Sequence, residues 1–326
     1  MPDTHFRPPG PLGFGGAPLG NMFEAVDEDT AEGALEAAWA TGVRFFDTAP
    51  HYGQGLSEHR FGRVLRRYPR DEFVLSTKVG RLLIADESAP ENPPFVNGLP
   101  FRVAYDYSFD GVRRSIEDSL NRLGLARIDI AFIHDIAADA HGAGWETLFD
   151  TAMNGAAKAL IQLREEGTIK GWGLGVNLTE PCRRALEQSD PDVFLLAGRY
   201  SLLDFSGLRE LFPACEQRGV HVVVGGPYNS GLLAGGRNYD YQEAPADKVA
   251  ARDRMAAIAK EHGVDLRAAA LQFCAAHPVV AAIIPGAKNA DRVRANAELM
   301  SQPIPAAFWA ALRGAGLLPD DAPIPG

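Results

Sequence analysis

Short apolar runs alternate with longer segments of helical periodicity along the whole chain. Eight runs have the length and side-chain content of strands: PLGFGG, VRFFDT, FVLSTKV, IDIAFIH, KGWGLGV, VFLLAG, VHVVVGG and VAAIIPG. The segments between them predict helices, with starts at Asp29 and Ser57 and ends at Gly42, Gly124, Gly167 and Gly219. Strands that alternate with helices pair in parallel through crossovers. The pattern therefore predicts an α/β protein, a (β/α)8 TIM barrel, with a doubly wound sheet as the alternative.

Two connections are much longer than the others. Residues 84–107 follow the third predicted strand and residues 226–245 follow the seventh. Long loops inside a compact domain are usually functional, and in a barrel both would rise from the C-terminal face. The alternative is a flexible insertion, but disordered segments are poor in aromatic residues and these are rich in them. No linker or internal repeat beyond the strand–helix unit interrupts the pattern, so we expect one domain over residues 1–326.

Composition and charge narrow the possible partners. The formal net charge is −10 and no cluster of Lys and Arg is present, which argues against binding to nucleic acid or to an anionic membrane. Three widely separated cysteines indicate reduced thiols rather than a disulfide framework or a zinc site. The N-terminal segment lacks a signal-peptide pattern, and no apolar run approaches the roughly 18 residues of a membrane span. We therefore expect a cytoplasmic protein that acts on a small molecule. Its oligomeric state stays open.

Ionisable residues stand at the ends of three consecutive strands. Asp47 ends the second strand, Lys78 lies at the end of the third, His134 ends the fourth, and Tyr52 lies in the turn after Asp47. Each alone has a structural explanation, such as a turn cap or a polar core edge. Their joint occurrence at adjacent strand ends predicts an active site instead, with no metal ion.

These residue types together suit proton transfer. A free Tyr has a pKa near about 10, and a neighbouring ammonium lowers it. We expect Lys78 to lower the pKa of Tyr52, Asp47 to hold Lys78, and His134 to donate to a substrate oxygen. A phenol tuned in this way serves reversible hydride transfer when a hydride carrier lies beside it.

The candidate carrier site follows the eighth strand. The glycine-rich runs GFGGAPLG and GWGLGVN do not have the GxGxxG spacing of a dinucleotide fold. In IIPGAKNADRVRAN, Asn289 is a candidate N-cap of a helix whose first N–H groups can bind an anion, and Arg292 and Asn296 share one face of that helix. An ordinary capped helix is the alternative. Its position after the last strand, where barrels often hold phosphate, favours a cofactor site.

The motifs FFDTAPHYG, LSTKVG, FIHD, GLGVN and IIPGA resemble the aldo-keto reductase family in order and spacing over nearly the whole chain. The resemblance implies a (β/α)8 barrel with the cofactor extended across its C-terminal face. It implies that Asp47, Tyr52, Lys78 and His134 are the catalytic tetrad.

A narrower resemblance connects NGLPFRVAYDYSFDGVRRSIEDSLNRLGLARIDIAFIHD, FLLAGRYSLLD and VVVGGPYNSGLLAGG with the D-threo-aldose 1-dehydrogenase branch of that family. The branch includes L-fucose, D-arabinose and L-galactose dehydrogenases and pyridoxal 4-dehydrogenase. Its members mostly oxidise a cyclic hemiacetal to a lactone with NAD or NADP. The resemblance thus implies oxidation of an aldose at C1.

The chain departs from the wider family where the nicotinamide is bound. The family's Ser-Asn pair is Val176-Asn177 here, its Gln corresponds to Ala197, and its stacking Tyr corresponds to Gly225. Asn177 is therefore the nicotinamide contact that the resemblance implies.

The phosphate contacts also differ. Members specific for NADPH begin the phosphate helix with Lys-Ser, and this chain has Gly286 and Ala287 there. The resemblance implies cofactor contacts from the NSGLL segment and from the phosphate helix with the residues just before it. These contacts are Ser230, Gly231, Leu232, Gly286, Lys288, Arg292 and Asn296. Because two donors to a 2′-phosphate are missing, we expect NAD to be used at least as well as NADP.

Four other functions fit parts of the sequence. The first two are a pyridoxal 4-dehydrogenase and a reductase that acts on a sugar aldehyde. The third is a nucleotide-binding barrel without turnover, which the retention of all four ionisable residues disfavours. The fourth is a metal hydrolase built on His134, Asp135, Asp139 and His141, whose spacing matches no helical metal motif. No GxSxG motif supports a serine hydrolase.

Overall fold

Twelve strands are assigned in the computed structural model, which describes residues 5–326. The first four residues of the predicted domain lie outside the described residues. The strands are β1 (Phe14–Gly15), β2 (Phe45–Asp47), β3 (Val74–Val79), β4 (Arg81–Ala85), β5 (Phe101–Tyr105), β6 (Ile130–His134), β7 (Gly171–Val176), β8 (Val193–Ala197), β9 (His221–Gly225), β10 (Asn238–Tyr239), β11 (Gln242–Glu243) and β12 (Val280–Ile284).

Eight of these strands form one parallel sheet in the order β1-β2-β3-β6-β7-β8-β9-β12. The two edges of the sheet meet, because Gly13 N–H donates to Ile283 O (2.8 Å) and Ile283 N–H donates to Pro11 O (2.8 Å). The predicted (β/α)8 barrel is therefore confirmed.

Within the described residues, twelve α-helices accompany the strands, and most of them cover the outside of the barrel. They are α1 (Glu28–Ala40), α2 (Leu56–Leu65), α3 (Phe109–Leu123), α4 (Ala138–His141), α5 (Trp145–Asn154), α6 (Ala156–Glu165), α7 (Thr179–Gln188), α8 (Phe212–Arg218), α9 (Ala246–Glu261), α10 (Leu266–Ala275), α11 (Ala290–Met300) and α12 (Ala306–Gly314). No helix within residues 5–326 combines the length and the apolar character needed to cross a membrane.

The hydrophobic core has two parts, because successive strand residues point to opposite faces. Phe45, Phe132 and Val223 belong to a cluster inside the barrel. Phe46 belongs to the larger cluster between strands and helices. The free thiols of Cys182, Cys215 and Cys274 are buried as well.

Two predicted helix starts are wrong. Helix α1 is capped by Asp27, whose carboxylate accepts from Thr30 N–H (2.8 Å), so Asp29 lies in the first turn. Helix α2 begins at Leu56 after Gly55, whose φ of 97° belongs to the left-handed region. Ser57 is therefore inside the helix and buried, and its hydroxyl donates to Gly16 O (2.9 Å) instead of capping.

The predicted helix ends are close to the observed ones. Gly124 and Gly219 are the left-handed C-caps of α3 and α8. Gly42 and Gly167 each come one residue after the cap, with φ of 88° and 74°. Glycine suits these positions because it has no Cβ to oppose a positive φ.

The first long connection is not a plain loop. Strands β4 and β5 form an antiparallel hairpin there, in which Arg81 pairs with Tyr105 and Ala85 with Phe101. The second connection holds the smaller hairpin β10–β11. Because the two connections follow β3 and β9, both lie at the C-terminal face of the barrel, as predicted.

Candidate active site

A buried ion pair joins the ends of two barrel strands. Lys78 Nζ donates to Asp47 Oδ2 (2.8 Å) and to Thr48 O (2.9 Å), and Ser76 Oγ donates to Asp47 Oδ1 (2.7 Å). Burial raises the pKa of Asp47, while Lys78 and Ser76 oppose that rise. These bonds offset part of the cost of removing two charges from water.

Tyr52 and His134 lie against this pair. Lys78 Nζ is 4.7 Å from the centre of the Tyr52 ring. The rings of Tyr52 and His134 are 6.0 Å apart and meet edge to face. The structure thus brings all four predicted tetrad residues together at the C-terminal end of the barrel.

The pKa of Tyr52 is not lowered in the protein alone, although Lys78 lies close to its ring. Burial raises the pKa of Tyr52 well above its usual value, Asp47 and Asp135 raise it further, and Arg81 lowers it. The Lys78 charge faces Asp47, so the phenol is next to a nearly neutral pair. Tyr52 is therefore a protonated phenol at neutral pH.

His134 is a neutral imidazole. Burial lowers the pKa of His134 well below its usual value, and the positive charges of Arg81 and Lys78 add to the effect. Its Nδ1 is buried and makes no hydrogen bond within residues 5–326. Its Nε2 lies 3.4 Å from Asp135 Oδ2. A neutral imidazole can donate one N–H to a substrate oxygen.

Sequence reasoning missed the wall formed by the first long connection. Phe95 packs against the rings of His51 (5.2 Å) and Tyr52 (5.6 Å), and the amide of Asn92 lies 3.1 Å from His51 Nδ1. Burial lowers the pKa of His51 to about 3, and Arg81 and Lys78 add to that shift. The position of His51 next to Tyr52 and the aromatic content of the connection that holds Phe95 were usable signals, whereas Asn92 carried none.

A cavity of about 530 Å³ begins at Asp47 and Tyr52. It continues between the segment after β1, the end of β9 and the start of α11. Six of the predicted cofactor residues line it, namely Ser230, Gly231, Gly286, Lys288, Arg292 and Asn296. Arg267, which sequence reasoning missed, lines the same cavity.

Two predicted cofactor residues lie elsewhere. Leu232, whose predicted contact is through its backbone, does not line the cavity, and its side chain is fully buried in the hydrophobic core. The Asn177 amide donates to Asp139 Oδ2 (2.9 Å) and accepts from Tyr241 O–H (3.4 Å), and Asn177 is not among the lining residues. These two bonds leave one amide N–H and one lone pair of Asn177 for another group.

The predicted N-cap of α11 is present. Asn289 Oδ1 accepts from Arg292 N–H (3.0 Å). Lys288, just before it, forms an ion pair with Glu24, another cavity residue that sequence reasoning missed. The two residues are far apart in the chain, so no local pattern could indicate the pair.

Comparison with known proteins identifies the family. The model of the aldo/keto reductase family matches residues 11–316. The chain belongs to the aldo/keto reductase family. It is therefore an oxidoreductase, and members of this family use NAD(P).

Two curated relatives resemble this aldo/keto reductase along most of its length. Pyridoxal 4-dehydrogenase of Microbacterium luteolum is 43% identical over 325 residues, which cover 94% of each chain. D-threo-aldose 1-dehydrogenase of a Pseudomonas species is 39% identical over 323 residues, again 94% of each chain. The predicted branch of the family is confirmed.

A solved structure supports the same assignment. The holo form of an aldo-keto reductase from Bacillus halodurans superposes with a TM-score of 0.71 and 27% identity, over 93% of this chain and 91% of that one.

Within residues 5–326, no group of three or more His, Cys, Asp or Glu side chains is arranged to hold a metal ion.

Proposed function

We propose that this reductase is an NAD(P)-dependent dehydrogenase that oxidises the cyclic hemiacetal of an aldose at C1 to a lactone. L-fucose, D-arabinose and L-galactose are the candidate substrates. The observation that carries the proposal is the buried Lys78–Asp47 pair beneath Tyr52, at the mouth of the large cavity. We further propose one barrel domain for the chain. Its free, buried thiols support a cytoplasmic location.

The residues around the cavity fit a dinucleotide. Its volume of about 530 Å³ lies within the range of small-molecule sites, roughly 300–1,000 Å³. Arg267, Lys288 and Arg292 supply positive charge for phosphate groups, and Tyr52 lies where the chemistry takes place. When bound, the nicotinamide group supplies the acceptor for the hydride that leaves the substrate carbon.

The protein's part of the reaction is proton transfer and orientation. In oxidation, Tyr52 first loses its own proton to solvent, and the resulting phenolate receives the proton of the hemiacetal hydroxyl while the C1–H bond breaks and the lactone C=O forms. His134 donates its N–H to the substrate oxygen and fixes its direction. The Lys78 ammonium lies close to the ring and favours the phenolate, whereas the charge of Asp47 opposes it.

We propose that NAD is used at least as well as NADP. Gly286 and Ala287 offer no side-chain donor to a 2′-phosphate. Lys288 is engaged by Glu24, whose carboxylate adds negative charge beside the same site. Both features weaken binding of an additional phosphate.

Oxidation of pyridoxal is the second candidate function. The relative that is 43% identical is a pyridoxal 4-dehydrogenase, and the hemiacetal of pyridoxal can undergo the same reaction. The aromatic wall of Phe95, His51 and Tyr52 would suit a flat ring.

One experiment tests the proposal and separates the two candidates. Purified enzyme is supplied with L-fucose, D-arabinose, L-galactose or pyridoxal and with NAD or NADP, and formation of the reduced cofactor is followed by absorbance. We expect turnover of at least one aldose. Binding of reduced cofactor without turnover of any of the four compounds would contradict a hemiacetal dehydrogenase.

A further inference from the structure

A second buried ion pair lies beside Tyr52 and His134, on residues that the tetrad does not include. Arg81 Nη2 donates to Asp135 Oδ2 at 2.5 Å, and the two side chains are 7% and 19% exposed. A buried pair of this kind contributes little net stability, because desolvation of both charges offsets their attraction. Its contact with His134, a residue of shifted pKa, points to a function.

The fold holds both partners firmly. Asp135 follows the last residue of β6, its φ is 48°, and its N–H donates to Gly175 O (2.8 Å). Arg81 is the first residue of β4, and its guanidinium lies 5.3 Å from the centre of the Tyr105 ring. One partner therefore comes from the barrel and the other from the hairpin above it.

The pair faces the reacting groups. Asp135 Oδ2 is 3.4 Å from His134 Nε2, and the charges of Asp135 and Arg81 both act on Tyr52. Because Asp135 lies this close to His134, a substrate oxygen held by His134 would bring the neighbouring substrate carbons within reach of the pair.

Each partner also has an unused polar atom. Both contacts of the Asp135 carboxylate run through Oδ2, and within residues 5–326 its Oδ1 makes no hydrogen bond. Arg81 Nε is buried and has no partner in the same part of the chain. A free acceptor and a free donor thus lie together beside the site of chemistry.

We propose that Asp135, held by Arg81, binds the hydroxyl group on the carbon next to the reacting carbon, which is the 2-hydroxyl of an aldose. This inference rests on the proposed hemiacetal oxidation and deepens it. The 2-hydroxyl donates to Asp135 Oδ1, and the bond fixes the sugar ring with C1 toward Tyr52. The enzyme therefore selects hemiacetals that carry this hydroxyl and rejects those that lack it.

The test compares D-arabinose with its 2-deoxy analogue, 2-deoxy-D-ribose. A hydrogen bond to a charged group corresponds to about 10- to 100-fold in kcat/KM. We expect wild-type enzyme to prefer D-arabinose by about that factor. In Asp135→Asn, the ratio of kcat/KM for D-arabinose to kcat/KM for 2-deoxy-D-ribose should fall by a similar factor, because any effect of the variant on Tyr52 acts on both sugars alike.

A matched control lies on the same hairpin. Asp86, near the far end of β4, faces Arg102 in an exposed pair at 3.9 Å. Asp86→Asn makes the same chemical change away from the barrel, and it should leave the preference for D-arabinose intact. Thermal unfolding and binding of reduced cofactor show that each variant is folded, and the wild-type comparison needs no variant at all.

The outcomes separate the inference from the proposed function. An equal loss for both sugars in Asp135→Asn would mean that Asp135 only positions His134, and the inference would fail. Equal kcat/KM of the wild type for the two sugars would also overturn it. Turnover of pyridoxal but of no aldose, L-fucose and L-galactose included, would overturn the inference and leave hemiacetal oxidation in place. Turnover of neither pyridoxal nor any of these aldoses would overturn both.

Discussion

Two Lys–carboxylate pairs contribute residues to the lining of the same cavity, and they differ in what supports them. Lys78–Asp47 lies on two barrel strands, and its side chains are 2% and 1% exposed. Lys288–Glu24 joins two loops, and its side chains are 35% and 57% exposed. Buried pairs are costly to break, whereas exposed pairs contribute about 0–1 kcal/mol.

The difference separates the two tasks of the enzyme. The barrel fixes the groups that we propose for the chemistry. Asp47, Lys78 and His134 lie on strands that are paired on both sides, and the turn after Asp47 carries Tyr52. The loops present the groups that we expect to set cofactor choice, and their weaker pair can change without loss of the fold. Variants of the two pairs should therefore have effects of very different size on activity and stability.

Lys78→Met should have the largest effect. It removes the ammonium near Tyr52, so we expect kcat to fall by about 10²-fold or more. It also leaves Asp47 buried without its partner, which should cost about 3–5 kcal/mol of the free energy of unfolding. Activity assays and chemical denaturation measure the two effects.

Lys288→Met is the matched control for stability. Because its pair is exposed, the free energy of unfolding should change by less than about 1 kcal/mol.

The loss of stability in Lys78→Met should shrink at acidic pH. The pKa of Asp47 is raised in the folded protein. The destabilisation caused by its charge is therefore absent at pH values below the pKa of Asp47 in the unfolded protein, and it grows as pH rises through the pKa in the folded protein. Equal losses in the two variants would contradict the comparison.

Tyr52→Phe should have the next largest effect, confined to chemistry. It removes the hydroxyl that exchanges the proton and keeps the ring, so kcat should fall by about 10²-fold or more while cofactor affinity stays unchanged. Tyr68→Phe makes the same change in a ring that stacks on Trp39, and kcat should be normal. Near-normal turnover of Tyr52→Phe would refute the role of the tetrad.

The pH dependence of oxidation should follow Tyr52. The phenol must lose its proton before it can accept one, and its pKa is raised, so kcat/KM should increase from neutral into alkaline pH. Asp135 contributes to the raised pKa of Tyr52. In Asp135→Asn, the increase of kcat/KM with pH should therefore occur at lower pH. A flat profile, with a substrate isotope effect showing that hydride transfer limits the rate, would exclude Tyr52 as the base.

Glu24→Gln should have the smallest effect. It releases Lys288 and removes a negative charge, so kcat/KM with NADP should increase about threefold to tenfold while that with NAD changes little. Lys288→Gln should not increase the use of NADP. Restoring Lys and Ser at 286 and 287 is a poorer test, because a Cβ at Gly286 would lie 2.8 Å from Pro18 Cγ. A strong preference of the wild type for NADP would show that Lys288 and Arg292 already bind the phosphate.

The sequence by itself determined the barrel and the positions of the tetrad residues. Alternating strand and helix periodicities lead to parallel pairing, and parallel strands place their C-terminal ends side by side. Asp47, Lys78 and His134 stand at such ends, so local pattern was enough to predict that they meet. The cap at Asn289 was predictable for the same reason, since a capping bond spans only three residues.

Only the tertiary structure decided the interactions between distant segments. Arg81 reaches Asp135 because the β4–β5 hairpin folds back over the barrel, and Lys288 meets Glu24 across almost the full chain. The side chain of Leu232 points into the protein because the hydrophobic core lies beneath its loop. The raised pKa of Tyr52 likewise depends on burial and on every charge around it. These properties depend on which distant surfaces pack together in the folded protein. The periodicity of the sequence does not specify those contacts.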